Sequence, residues 1–541
     1  MDRGWDIVRH NGPGQVSFWF IALALGVVAG LGAIAFRFAV EALQAALYGT
    51  EDVNMLASWA GELHWLMVLL IPVCGGIAVG LILQKYTPDG RVRSVADVIQ
   101  GAALNDGRVE RRAGVASVLC SWITLSTGGS TGREGPVVHM AALASTWMAN
   151  KLKVDGITGR DLLGCAVAAA VSASFNAPIA GALFALEVVL RHFALHAFAP
   201  IVVASAAGTV INRLVYGDVT EFVLPGTTTV EFYLELPAFF LLGLICGVVS
   251  VIMMRSIFFA DDVETEVQRR LNLPRWLRPA VAGVLLGAIA ISFPHIIGVG
   301  YETTSRALSG ELLLREALIF AIVKVLAVSI TMAGRMGGGI FSPSLMVGAL
   351  TGLAFGHIAT GLVPDASSAF TLYALAGMGA VAAAVLGAPI STTLIVFELT
   401  GDWQTGLAVM VSVSMSTALA SRVVDRSFFL TQLQRRKVAL AAGPQAYLLG
   451  MFRVKGVMRA PNDPRAADEV LCLEMIEQGL YVQADATLKT ALPLLDSSTK
   501  PFLPVVTMDG PQPVLQGALF HVDALKAYNR ALAATAEEEH S

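Results

Sequence analysis

The chain has 541 residues, 55% of them hydrophobic and 14% charged, with a mean hydropathy of +0.66 and a formal net charge of −4. That balance excludes an ordinary soluble protein and indicates an integral membrane protein. No long basic patch is present, which argues against nucleic acid as a partner, and the five cysteines (Cys74, Cys120, Cys165, Cys246, Cys472) form no C-x-x-C pair, so they read as small core residues.

Residues 11–36 carry no Asp, Glu, Lys or Arg. The run exceeds a signal-peptide h-region and lacks a small-residue cleavage pattern, which predicts a retained transmembrane helix. Residues 113–132, 162–186 and 366–397 are equally free of charge, and a bilayer core needs about 20 apolar residues per span, so several spans follow. Against this background "STGGSTGREGPVV", residues 126–138, places Arg133 and Glu134 side by side where a charge needs a reason.

Residues 366–397 are too many for one upright helix, and Gly387 and Pro389 fall midway. A proline there removes a donor and clashes with the preceding turn, so the run is predicted to break. Residues 162–186 break likewise at "SFNAPIAG". The two breaks match: "NAPIAGALFALE" (176–187) and "GAPISTTLIVFE" (387–398) share Ala-Pro-Ile, a Leu five residues after the proline and a Glu nine after it, at a spacing of 389 − 178 = 211. A second pair, "GREGP" ending at Pro136 and "GIFSP" ending at Pro343, recurs at 343 − 136 = 207.

Internal repeats interrupted by glycine and proline at corresponding points indicate a transporter or channel with its site at the broken helices. A helix that starts inside the bilayer presents unpaired N–H groups and the positive end of its dipole, and an anion satisfies both. "GREGPVV" and "GGGIFSPSL" each run from glycines through a first-turn proline into an apolar helix. Two such N-termini converging predict an anion site built mostly of backbone, with no metal or cofactor. His192 and His196 read as residues at a membrane boundary, and Glu398 and Asp402 in "FELTGDW" as ordinary solvent-facing charges at a helix end; neither pair supports hydrolysis or metal catalysis, and no enzyme is expected.

"GREGP" (132–136), "GGIFSP" (338–343), "FNAPIAGALFALE" (175–187) and "LAGMGAVAAAVLGAPISTTLIVFELTGD" (375–402) resemble the signature segments of the CLC chloride channels and proton-coupled chloride exchangers. The resemblance covers roughly residues 15–437. It implies an all-α polytopic membrane protein in the CLC fold, a homodimer in which each subunit holds two inverted-topology halves of broken, tilted helices around its own pore. The transmembrane domain is then residues 1–437, with halves of about 15–217 and 234–437. Carried over, Gly132, Arg133, Glu134 and Gly135 start a helix beside the outer anion site, and Gly339, Ile340, Phe341 and Ser342 supply the opposing amides. Glu134 falls on the family's gating glutamate, whose carboxylate occupies an anion site when ionised and swings away when protonated. The implied substrate is chloride or a similar small anion.

Three positions depart from the family's pattern. The inner proton-passing glutamate of exchangers corresponds to Val188, which cannot ionise, so channel-like or weakly coupled transport is the leading expectation and proton-coupled exchange the alternative. The tyrosine that coordinates the central anion corresponds to Phe429. The first glycine-serine-glycine motif is replaced by "DGRVRSVADVIQGAAL" (89–104), where an ungapped count puts Arg93 at the serine's position and a one-residue gap puts Ser94 there. Arg93 as an anion ligand and Arg91 with Arg93 as loop charges both stay open. A non-transporting membrane sensor on the same fold is a further class, disfavoured by the intact Glu134 and both helix starts.

From about residue 452 the composition turns soluble, and residues 480–528 predict a strand, a helix with apolar spacing at Leu488, Leu492 and Leu495, two strands about Asp509 and Gly510, and a final helix. This resembles one small α+β CBS module within residues 452–533, after a remnant of another, and ahead of an acidic tail at 534–541. Phe520 replaces the hydroxyl residue that usually precedes Asp523 in nucleotide-binding modules, so a dimer contact or gating weight is expected rather than a nucleotide site. Arg435, Arg436 and Lys437 follow the last apolar segment, which predicts a cytoplasmic C-terminal domain and a multi-pass protein of the plasma or inner membrane.

Overall fold

Eight helices among the described residues are long and apolar enough to cross a bilayer, from Val16–Tyr48 to Thr405–Arg435. The computed structural model describes residues 15–50, 52–154, 156–193, 195–217, 235–363, 369–401, 403–438, 440, 449, 452–498, 500–509 and 512–540. Asp402, Gly510, the junction near 218–234 and the side chain of His196 lie outside them. The chain divides into two units, one of residues 1–102, 107–190 and 198–438, the other of 103–106, 191–197 and 439–541.

Within the first unit, glycines at four-residue spacing let helices meet backbone to backbone. Gly76 and Gly80 of Trp65–Tyr86 face Pro279 and Trp276, while Gly283 and Gly287 of Arg278–Ser292 face Pro72 and Leu69. A β-carbon on Gly76 would lie 2.3 Å from the Pro279 carbonyl oxygen, so alanine does not fit. In lipid, where burying apolar surface gives helices no net drive to associate, this close packing is what holds them.

Both charge-free runs break as their sequence predicts. Gly156–Phe175 ends at Asn176, which adopts a left-handed φ of 57°, and Pro178 then opens the next helix, which runs on through a π-helical turn at Ala185–Leu190. Phe370–Leu386 ends at Gly387, φ 70°, and Pro389 opens Pro389–Thr400. Residues 162–175 and 371–386 are buried throughout, which explains why these stretches carry no charge on any face.

The repeat is inverted, and two glutamates make this visible. Glu187 accepts from the N–H groups of Ile390 and Ser391 at 2.9 and 2.8 Å, at the start of Pro389–Thr400. Glu398 accepts from Ile179 and Ala180 at 3.0 and 2.8 Å, at the start of the Pro178 helix. Each helix therefore ends on an acid that caps the other's beginning, which requires the two to run antiparallel. This corrects the reading of Glu398 as an ordinary solvent-facing charge: its partners are 219 and 218 residues away in sequence.

The second unit contains a three-stranded sheet in the order β1 (Val482–Gln483), β2 (Phe502–Asp509), β3 (Gln512–Phe520). β1 and β2 are parallel, joined by the helix Leu488–Ser498, and β2 and β3 are antiparallel. Leu488 and Leu495 lie in its core and Leu492 packs against it. The β-α-β-β-α order fits a CBS-like module. The last helix spans His521–His540, so most of the expected acidic tail continues a helix; "ALAATAEEEH" is rich in strong helix formers.

Candidate functional site

The two glycine-rich helix starts are joined directly. Gly132 N–H donates to the Gly339 carbonyl and Gly339 N–H to the Gly132 carbonyl, both at 2.7 Å, forming an isolated antiparallel bridge. Beyond it the helices Glu134–Leu152 and Phe341–Leu362 begin. Glycine is needed for this approach: a β-carbon on Gly135 would lie 2.9 Å from Gly339 Cα, and one on Gly339 would lie 2.8 Å from Gly135 N.

The Glu134 side chain crosses to the other helix start. It is 2% exposed, and its Oε1 accepts a hydrogen bond from the Ser342 hydroxyl. Oε2 is buried with no hydrogen-bond partner among the described residues and fills the space beside Gly132, where a β-carbon would lie 2.6 Å from it and 3.1 Å from Ser342 N. The carboxylate thus sits at the positive end of the Phe341 helix, where the backbone offers donors to a negative charge. Arg133 is buried with its guanidinium 5.1 Å from the centre of the Tyr301 ring. Ile340 is the residue immediately before the second helix, and the Phe341 ring packs between Phe175 and Phe184, one on each side of the Asn176 break, at 4.7 and 5.8 Å. All eight residues assigned to the outer site therefore meet around one bridge.

The remaining candidates lie apart from it. Arg93 directs its guanidinium at carboxylates, with 2.7 Å to Asp89 and 2.9 Å to Glu110, and its N–H donates to Ser117 Oγ. Ser94 N–H donates to Asp97 Oδ2 at 2.7 Å, and its hydroxyl lies 3.4 Å from Gln432 Oε1. Asp97 is also paired with Arg436 at 2.8 Å. Phe429, 4% exposed, packs edge-on against Phe428 in the short helix that also carries Gln432. Val188, 5% exposed, lies in the π-helical turn beside Glu187.

Two buried polar residues, Lys324 and His139, and one half-buried acid, Asp97, escaped the sequence reading. Lys324 is fully buried, and its ammonium donates to the Ile296 and Gly298 carbonyls at 3.2 and 3.1 Å. A lone lysine within "ALIFAIVKVLAVSI" was the available signal. His139 lies on the Glu134 helix with both ring nitrogens buried and unpaired among the described residues. Asp97 gave no signal, because its partner Arg436 is 339 residues distant.

Inverted broken helices whose glycine-rich starts meet at one backbone bridge define a class of polytopic membrane proteins. A family model described as voltage gated chloride channel matches residues 75–421. A putative ClcB-like chloride channel protein of Ralstonia nicotianae is 30% identical over 424 residues, covering 77% of this chain and 96% of its own. The voltage-gated ClC-type chloride channel ClcB of Escherichia coli is 27% identical, covering 76% and 97%. Among solved structures, a slow cyanobacterial Cl−/H+ antiporter overlays with a TM-score of 0.68 at 20% identity, covering 77% of this chain and 97% of that one. A eukaryotic CLC transporter does so at 0.65 and 17%, covering 94% and 97%. At these identities the structures speak to the fold alone. The chain belongs to the voltage-gated chloride channel (CLC) family.

Proposed function

We propose that this protein moves chloride, or a similar small anion, through a pore in each subunit of a homodimer, with Glu134 as the gate. The observation that carries this reading is the Glu134 carboxylate at the start of the Phe341 helix, bonded to Ser342 across the Gly132–Gly339 bridge. An ionised carboxylate competes there with the anion for the same donors, and protonation removes the competitor. Gly132, Arg133 and Gly135 on one side and Gly339, Ile340, Phe341 and Ser342 on the other form the outer site. Ser94, beside Gln432, is favoured over Arg93 for the inner part of the path, because both carboxylate partners of Arg93 already hold its guanidinium. Phe429 keeps a ring there without a donor.

Transport is channel-like or weakly coupled, since Val188 offers no proton and the neighbouring Glu187 is committed to capping Pro389–Thr400. Strict exchange is the second reading; its support is that one solved relative is described as a Cl−/H+ antiporter and another as a fluoride/proton antiporter. The transmembrane domain takes residues 1–437 and the CBS-like domain 452–533, which Arg435, Arg436 and Lys437 orient to the cytoplasm of a plasma or inner membrane. Nucleotide binding by that domain is disfavoured because Asp523 is already bonded to Arg459 at 2.6 Å, with the guanidinium 4.0 Å from the Phe520 ring centre. Chloride efflux and proton uptake recorded together from reconstituted vesicles test the reading. Chloride efflux with little uphill proton movement is expected; a fixed stoichiometric proton flux would favour exchange, and no protein-dependent chloride efflux would sink both.

A further inference from the structure

A cavity of about 250 Å³ opens where the Val92–Ser94 loop, the Gly337–Gly338 turn and the Gln432 helix meet. Four arginines (Arg91, Arg335, Arg435, Arg436) and two aspartates (Asp261, Asp262) line it. The acids in and around it have partners: Asp262 holds Arg435, Asp261 holds Arg278 at 2.7 Å with Glu264 at 3.6 Å from the same guanidinium, Asp97 holds Arg436 and Asp89 holds Arg93. Two guanidiniums remain without a carboxylate in an ion pair among the described residues. Arg91 makes no side-chain bond among the described residues, and Arg335 reaches only the Asp89 and Gly90 carbonyls, at 3.4 and 3.5 Å.

Arg335 stands in the left-handed region at φ 54°, a conformation that ordinarily favours glycine, in the turn between Leu314–Ala333 and the Gly337–Gly338 pair. Burial, joined by the like charges of Arg278 and Arg91 and opposed by Asp261 and Asp89, holds its guanidinium down to about 10.

We propose that Arg91 and Arg335 form a binding site for a doubly charged tetrahedral oxyanion of the phosphate or sulfate class, and that its occupancy obstructs anion passage at this mouth. The forked guanidinium matches a multi-oxygen anion, which two such groups grip far better than a single spherical halide. The cavity exceeds the needs of a halide and admits a hydrated oxyanion. Its wall at Gly338 continues directly into Gly339 of the bridge, so an occupant here lies on the approach to the Glu134 site. The binding claim stands on the cavity alone; the obstruction claim rests on the transport reading above.

Calorimetric titration of inorganic phosphate, and in parallel glycerol phosphate, into the full-length protein at constant ionic strength tests the binding. Binding of either probe that weakens about tenfold or more in Arg91→Gln and in Arg335→Gln supports the site. Arg91 lies on a half-buried loop, so its variant serves even where Arg335→Gln fails to fold. Binding of neither probe, equal affinity in the variants, or displacement of phosphate by an equal concentration of chloride would overturn it. Chloride flux with inorganic phosphate added to each side of a planar bilayer tests the obstruction: slowing from one side only, relieved in Arg91→Gln, is expected, and bound phosphate that leaves flux unchanged contradicts it. Failure of either arm leaves the Glu134 assignment untouched, because that site has its own test.

Discussion

Glu134 and Gly132 share one small space, and that makes the glycine as informative as the acid. A β-carbon at 132 would press on Glu134 Oε2, Ser342 N and Pro343 Cδ at 2.6, 3.1 and 3.2 Å. Gly132→Ala is therefore expected to displace the carboxylate and to narrow the anion site as well. Vesicle efflux should lose its pH dependence, and halide affinity measured by calorimetry should fall, whereas Glu134→Ala should abolish only the pH dependence. Full halide affinity in Gly132→Ala would mean that the anion rests elsewhere. At the inner positions, Ser94→Ala should weaken halide binding by up to about tenfold, the scale of one hydrogen bond, while Arg93→Ser leaves it unchanged. The reverse pattern would return the role to Arg93. Glu134 was legible in sequence because a charge inside an apolar run is expensive and so conspicuous. The engagement of Arg93 was not: Asp89 and Glu110 look like loop charges until the fold sets them around it.

At the scale of elements, the Ala-Pro-Ile repeat exposed both helix breaks, because proline's lost donor acts locally and is written in the sequence. What the repeated glutamates do was hidden, since each caps a helix from the other half of the chain. Glu187 also accepts from the Ser391 hydroxyl at 2.8 Å, so it holds three donors and Glu398 two. Glu187→Ala and Glu398→Ala should each lower stability by ~1–3 kcal/mol, as the freed N–H groups lose a charged acceptor. Thermal unfolding in detergent checks this, with Glu187→Gln recovering part of the loss. Unchanged melting in both alanine variants would show that water serves these helix starts equally well. The C-terminal helix illustrates a different limit: its charges suggested a tail, and helix propensity carried the chain on to His540.

For the whole molecule, two inverted halves bring their broken helices to one bridge, and transport follows from which charges can move there. Glu187 is tied to Pro389–Thr400 and Val188 cannot ionise, so a chloride gradient should drive little proton uptake against its own gradient. Val188→Glu should increase that uptake if an acid at 188 is all that coupling lacks; no increase would mean that the route is closed by more than one residue. The central claim is that Glu134 itself is the titrating gate, and the most direct test is chloride efflux from reconstituted vesicles, measured across acidic to neutral pH in the wild type and in Glu134→Gln. The wild type should conduct faster as pH falls, because protonation releases the carboxylate from the Phe341 helix start. Glu134→Gln should carry chloride at a rate independent of pH. Wild-type pH dependence persisting in Glu134→Gln would contradict the account.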